Sequence, residues 1–234
     1  MFNRICFLFL LFMIYSFLGW LMEVILQFLE KKRFINRGFL IGPYCPIYGW
    51  GSITIILLLY KYKEDFVTLF CMAIVICSLL EYGTSFVMEK LFHTRWWDYS
   101  DKKFNINGRI CLDTMLPFGI LGCIVLYVIN PFFTNILNNF SSLGLNIVAI
   151  ILFVLYLVDN IISFNVIFKI RKTICNVEKD ATEEITRKVK NILTKQGILY
   201  RRMVNAFPTI KNTKEYLINL RKKIDNDLKK FKDR

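Results

Sequence analysis

Four acidic residues, Glu23, Glu81, Asp113 and Asp159, stand in a chain that is otherwise dominated by Leu, Ile and Phe. Each falls within an apolar run about as long as a bilayer is thick. A carboxylate at the centre of such a run costs about 2.5–3.5 kcal/mol on insertion scales, and less toward an interface. These acids are therefore expected to face inward, toward water, one another or cations. Two chemistries follow. They form a cavity that binds a cation or a polar head group, or they form structural ion pairs with Arg37, Arg95 or Arg109. All four fall in the same half of the bilayer, which favours the cavity. Arg109 joins them at its mouth, one helical turn before Asp113 and able to pair with it. Small residues share a helical stripe with three of the acids: Ser16 and Gly19 with Glu23, Ser85 with Glu81, and Ser163 with Asp159. Such residues let helices approach closely enough to bury a polar group.

Two further stretches could contribute. "HTRWWDYSDKKFNINGRICL" (93–112) holds the chain's only His. Trp96, Trp97 and Tyr99 suit the head-group boundary, while Arg95, Asp98, Asp101 and Arg109 would close the cavity mouth. Asn107, Gly108 and Arg109 end this loop, and His93 reads as an interfacial residue. In "GPYCPIYGWG", Gly42, Pro43, Pro46, Tyr48 and Gly49 predict a partly unwound segment. Irregular backbone survives at membrane depth only when buried in protein or lining a cavity. Transporter sites are often built from broken helices; a sharp turn before an ordinary helix is the competing reading.

The elements that must position these residues are five predicted spans, over 5–29, 39–60, 66–88, 110–129 and 143–168. Mean hydropathy of +0.44 and 55% hydrophobic residues place the chain among membrane proteins. The fold class is an all-α polytopic helical bundle (1–168) followed by a basic helical tail (169–234). The N-terminus and the 61–65 and 130–142 loops hold only three of the 31 Lys and Arg. By the positive-inside rule this puts the N-terminus outside and the C-terminus in the cytoplasm of a bacterial cell. The acids then lie in the cytoplasmic half. The net charge of +13 reflects this placement and attraction to anionic lipid, not nucleic acid. The seven cysteines show no CxxC or His-Cys cluster, so no metal and no cofactor is expected.

Four blocks, "SFLGWLMEVI", "RGFLIGPYCPIYGWG", "LLEYGTSFVMEKLFHTRWWDYSDKKFNINGRICL" and "RRMVNAFPTIKN", run in order over nearly the whole chain. In them the chain resembles the "putative ABC-transporter type IV" permease family of Firmicutes. The resemblance implies a small polytopic inner-membrane permease. It extends to Gly19, Trp20, Glu23, Gly38, Gly42, Pro43, Pro46, Tyr48, Gly49, Glu81, Glu89, Trp96, Trp97, Asp98, Tyr99, Asn107, Gly108 and Arg109. Asp113 and Asp159 rest on the intramembrane-acid argument alone. No G-x-x-x-x-G-K-[ST] loop occurs in the sequence, so a pump would need a separate ATPase subunit on the cytoplasmic side. Five spans are few for one permease, and a homodimer is expected. Two other functions remain open: a non-catalytic scaffold or sensor, and a membrane-embedded enzyme acting on a lipid-linked head group. In the enzyme, carboxylates would act as acid and base, with Asn107 and Arg109 holding phosphate.

Overall fold

The computed structural model describes residues 1–32, 34, 36, 38–92 and 96–179. His93, Arg37, Arg95 and the tail beyond residue 179, including its expected helices, lie outside them. The regular elements of the described residues are helices, apart from one small hairpin. Four helical stretches are long and apolar enough to cross a membrane: Phe2–Glu30, Phe66–Leu91, Leu112–Asn138 and Ser142–Phe168.

Helix α1 (Phe2–Lys31) ends where Lys32 turns left-handed (φ 53°) and its N–H bonds the Phe28 carbonyl at 2.9 Å, a common way to close a helix. The second predicted span is only partly helical. Pro43 and Pro46 keep the residues before them out of the helical region, so helix α2 (Pro46–Leu59) starts at Pro46, with Cys45 extended. Its 14 residues cover about 21 Å at 1.5 Å per residue, short of a hydrocarbon core of about 30 Å. Non-helical chain over 38–45 precedes it. Helix α3 (Phe66–Phe92) is preceded by Asp65, whose carboxylate accepts from the Thr68 hydroxyl (2.6 Å) and N–H (3.1 Å). These bonds hold the Asp65 carboxyl below its ordinary pKa.

Between α3 and α4 (Leu112–Ile124) the chain forms an antiparallel hairpin of β1 (Asn105–Ile106) and β2 (Ile110–Cys111). Asn107 (φ 54°) and Gly108 (φ 67°) make its turn, closed by the Arg109 N–H on the Ile106 carbonyl at 3.0 Å. Both central residues left-handed is the hairpin turn that Asn-Gly favours. The fourth span also runs longer than predicted. Helix continues past residue 129 through a π-helical turn (Val125–Ile129) into α5 (Asn130–Asn138). Pro131 lacks an N–H and its ring crowds the carbonyl four residues back, at Tyr127; the wider π turn lies at that point. The loop predicted over 130–142 thus shrinks to 139–141 before α6 (Ser142–Lys179).

By contacts the chain forms two units. The first comprises 1–87 and 98–165. One part of its core joins Leu10, Leu11, Phe12 and Tyr15 of α1 to Ile53 of α2, Leu137 of α5 and Ala149 of α6; another joins Ile55, Leu59, Leu69, Ala73, Cys123 and Leu126. Helices α1 and α2 meet through glycine. A Cβ on Gly49 would lie 2.2 Å from the Ser16 Oγ and 2.7 Å from the Phe12 carbonyl oxygen, and one on Gly19 would lie 2.3 Å from the Tyr48 ring. The second unit comprises 88–97 and 166–234. Of it, the last turns of α3, Trp96 and Trp97, and α6 from residue 166 are described; Trp96 and Ile167 are buried.

Candidate functional site

In the first unit the ends of α1 and the starts of α2 and α4 lie together, because successive helices reverse direction. Most of the inward stripes read from the sequence are buried: Ser16 and Ser163 are 0% exposed, Ser85 3%, Glu81 5% and Asp159 8%, while Glu23 is half-buried. The acids on them fall into two different environments.

Asp159 is surrounded by donors from the unwound segment. Its Oδ1 accepts from the Ile41 N–H (2.9 Å) and the Ser163 hydroxyl (2.8 Å). Its Oδ2 accepts from the Gly42 N–H (2.7 Å) and the Tyr44 hydroxyl. The Tyr44 ring folds over Gly42, where a Cβ would lie 2.3 Å from it. The Cys45 N–H bonds the Ser16 carbonyl of α1 at 2.8 Å. Backbone groups that Pro43 and Pro46 withhold from helix thus find partners on α6 and α1, as membrane burial demands.

Glu23 and Glu81 belong to a second cluster. The Tyr48 hydroxyl donates to Glu23 Oε1 at 2.6 Å. Glu81 Oε1 accepts from the Tyr99 hydroxyl at 3.3 Å, and its Oε2 accepts from the Thr114 hydroxyl at 3.5 Å. The single Thr114 hydroxyl proton is shared with the Cys111 carbonyl, the nearer acceptor at 2.9 Å. Burial first, then the charges of Glu81 and Glu23, push the Tyr99 phenol above its ordinary pKa. It therefore stays protonated and remains a donor. Five segments meet here: α1, α2, α3, the loop before the hairpin, and α4.

The other predicted residues are placed around this pair. Asp113 is exposed in the first turn of α4 and pairs with Lys102 at 3.6 Å, not with Arg109. Arg109 instead covers the neighbouring face of α3, its guanidinium 5.2 Å from the Tyr82 ring centre and 5.4 Å from that of Phe86. Asn107 donates to the Tyr82 hydroxyl at 2.9 Å. The Asp98 carboxylate accepts from the Ser100 N–H and hydroxyl at 3.0 and 2.5 Å. The Tyr99 N–H bonds the Gly108 carbonyl at 2.8 Å, tying the loop to the hairpin turn.

The sequence reading did not anticipate Thr114, Tyr44 or Tyr82 as partners. It also missed a buried pair deeper in the unit, where the Tyr15 hydroxyl donates to Asn130 at 3.0 Å. The polar type of Asn130 at the π turn was its only signal.

Among the described residues no group of three or more His, Cys, Asp or Glu could hold a metal. No curated protein and no solved structure matches the chain. A family model described as "Putative ABC-transporter type IV" matches residues 10–164, a stretch that contains every residue of both clusters, and the chain belongs to that family.

Proposed function

We propose that this chain is the membrane component of a transport system. Its pathway passes Glu81 and the Glu23–Tyr48 pair in a polar cavity that opens on the cytoplasmic side, and a separate subunit hydrolyses ATP. The observation that carries this reading is the environment of Glu81. It is 5% exposed, has no ion pair among the described residues, and receives only two long hydrogen bonds from neutral hydroxyls. A strut looks different: Asp159 has four donors within ordinary distance or closer. A carboxylate buried without a cation or a full set of donors is costly to maintain, and acids of this kind within spans commonly mark ion or substrate paths. We assign Asp159 to holding the unwound segment and Asp113 to the surface.

Two experiments test the reading. Purification from the producing cells in mild detergent should recover an ATPase carrying a G-x-x-x-x-G-K-[ST] loop together with this chain, in a complex of two copies of each. A homogeneous preparation that contains no ATP-hydrolysing partner, from membranes where one is encoded and expressed, would remove the pump. For orientation, Asn139→Cys and Lys103→Cys are made in a cysteine-free background. Asn139→Cys should react with an impermeant maleimide on intact cells and Lys103→Cys only after permeabilisation. The reverse pattern would place the Glu23–Glu81 cluster on the outer side.

A further inference from the structure

The face of α3 that carries Glu81 has two more polar groups. Ser78 lies three residues before Glu81 and Ser85 four residues after, so all three share one side of the helix. Both serines are more than nine-tenths buried, at 7% and 3% exposure. Neither hydroxyl has a hydrogen-bond partner among the described residues.

A serine in a helix ordinarily settles this need locally, by donating to the carbonyl one turn back. Ser16 of this chain does so, to Phe12 at 2.7 Å, and Ser163 donates to Asp159 one turn back at 2.8 Å. The Ser78 and Ser85 hydroxyls do neither. A buried polar group without a partner costs on the order of a hydrogen bond. Two of them, one turn to each side of a carboxylate that is itself under-supplied with donors, form a line of oxygen atoms with spare lone pairs.

We propose that Glu81 and Ser85 bind a partly dehydrated alkali cation of about sodium size, with the Thr114 hydroxyl as a further ligand; Ser78, seven residues or about 10.5 Å of helix from Ser85, lies outside that ligand set. The inference rests on the reading of Glu81 as a site acid and names what that site takes. Only oxygen ligands are offered, which suits a hard cation. Glu81 supplies one negative charge to this line, which matches a monovalent ion; calcium takes six to eight oxygens, usually from several carboxylates. Cation binding also completes the coordination of the Ser85 oxygen, which then acts as an acceptor and leaves its proton for water or the substrate.

The test uses the full chain in detergent or nanodiscs and needs no knowledge of the transported substrate. Its melting temperature is followed while NaCl, LiCl or KCl replaces choline chloride at constant ionic strength, because a chain of net charge +13 responds to screening alone. Sodium at a hundredfold excess over its dissociation constant should raise the melting temperature by about 5 °C relative to choline. Ser85→Ala should raise the half-saturating sodium concentration about tenfold, and Ser78→Ala should titrate sodium like the wild type. Both should keep the choline melting temperature at or above that of the wild type, since each removes an unsatisfied hydroxyl. Identical melting in all four salts, with stability that responds only to pH, would overturn the proposal in favour of a proton site. So would a Ser85→Ala variant that titrates sodium like the wild type. A sodium shift that depends on Ser85 but occurs without a co-purifying ATPase would uphold the cation site while removing the pump. An ATPase complex with no cation-specific shift would do the opposite.

Discussion

Asp159→Asn should lower the melting temperature of the membrane domain by about 6–12 °C, corresponding to about 3 kcal/mol. The side chain keeps its size, so packing is not at issue. Its chemistry changes decisively, because one of two acceptor atoms becomes a donor. If the amide nitrogen takes the Oδ2 position, it meets the Gly42 N–H and the Tyr44 hydroxyl; at the Oδ1 position it meets the Ile41 N–H and the Ser163 hydroxyl. A hydroxyl can rotate to accept. A backbone N–H cannot, so either orientation orphans one buried amide and sets two donors against each other. Thermal unfolding in detergent, with Ser163→Ala as a milder comparison, measures the effect. An Asp159→Asn protein that melts with the wild type but loses function would move Asp159 into the transport pathway.

Glu81→Gln should behave in the opposite way: function and the sodium-dependent shift are abolished, while the melting temperature in choline stays within about 2 °C of wild type or rises. Both groups that bond Glu81 are hydroxyls, of Tyr99 and Thr114, and each can accept as well as donate. The amide oxygen can keep the Tyr99 bond, and the amide nitrogen can donate to Thr114. No group is orphaned, and the cost of burying a charge is removed. A loss of several kcal/mol, reversed when Arg109 is also neutralised, would show an ion-pair network where a site is proposed. The two substitutions make the same kind of chemical change in buried acids of the same chain. Their predicted divergence comes only from whether the donors around each acid can reverse.

That distinction was not visible in the sequence, although much else was. The long apolar runs, the interrupted first half of the second span and the inward stripes of Ser16, Glu81, Ser85 and Ser163 could be read from local pattern, because period and proline chemistry act over a few residues. The hairpin was legible too, in the Asn107–Gly108 pair between Ile106 and Ile110, but it was hidden inside a loop judged by its charges and rings. The continuation of the fourth span past Pro131 was missed because proline usually ends a helix, and the π turn that accommodates it has no sequence signature of its own. Asp113 was grouped with the buried acids because hydropathy assigns a residue to a span without setting which way the first helical turn faces. The fate of Asp159 could not be inferred locally at all, since its donors lie more than a hundred positions away.

That separation has a consequence for how the protein is made. The Ile41 and Gly42 amides bond a residue 118 and 117 positions later in the chain. At about 5–20 residues per second, the ribosome needs roughly 6–24 s to supply their acceptor after they emerge. During that interval the Ile41 and Gly42 amides lack their acceptor on α6 and must be satisfied by water or at the lipid surface. The packing of the 38–45 segment therefore cannot be completed in order of synthesis. It waits for the last helix, so the membrane domain closes from its C-terminal side, and a chain stalled before Asp159 leaves the insertion machinery with its second segment still unsettled.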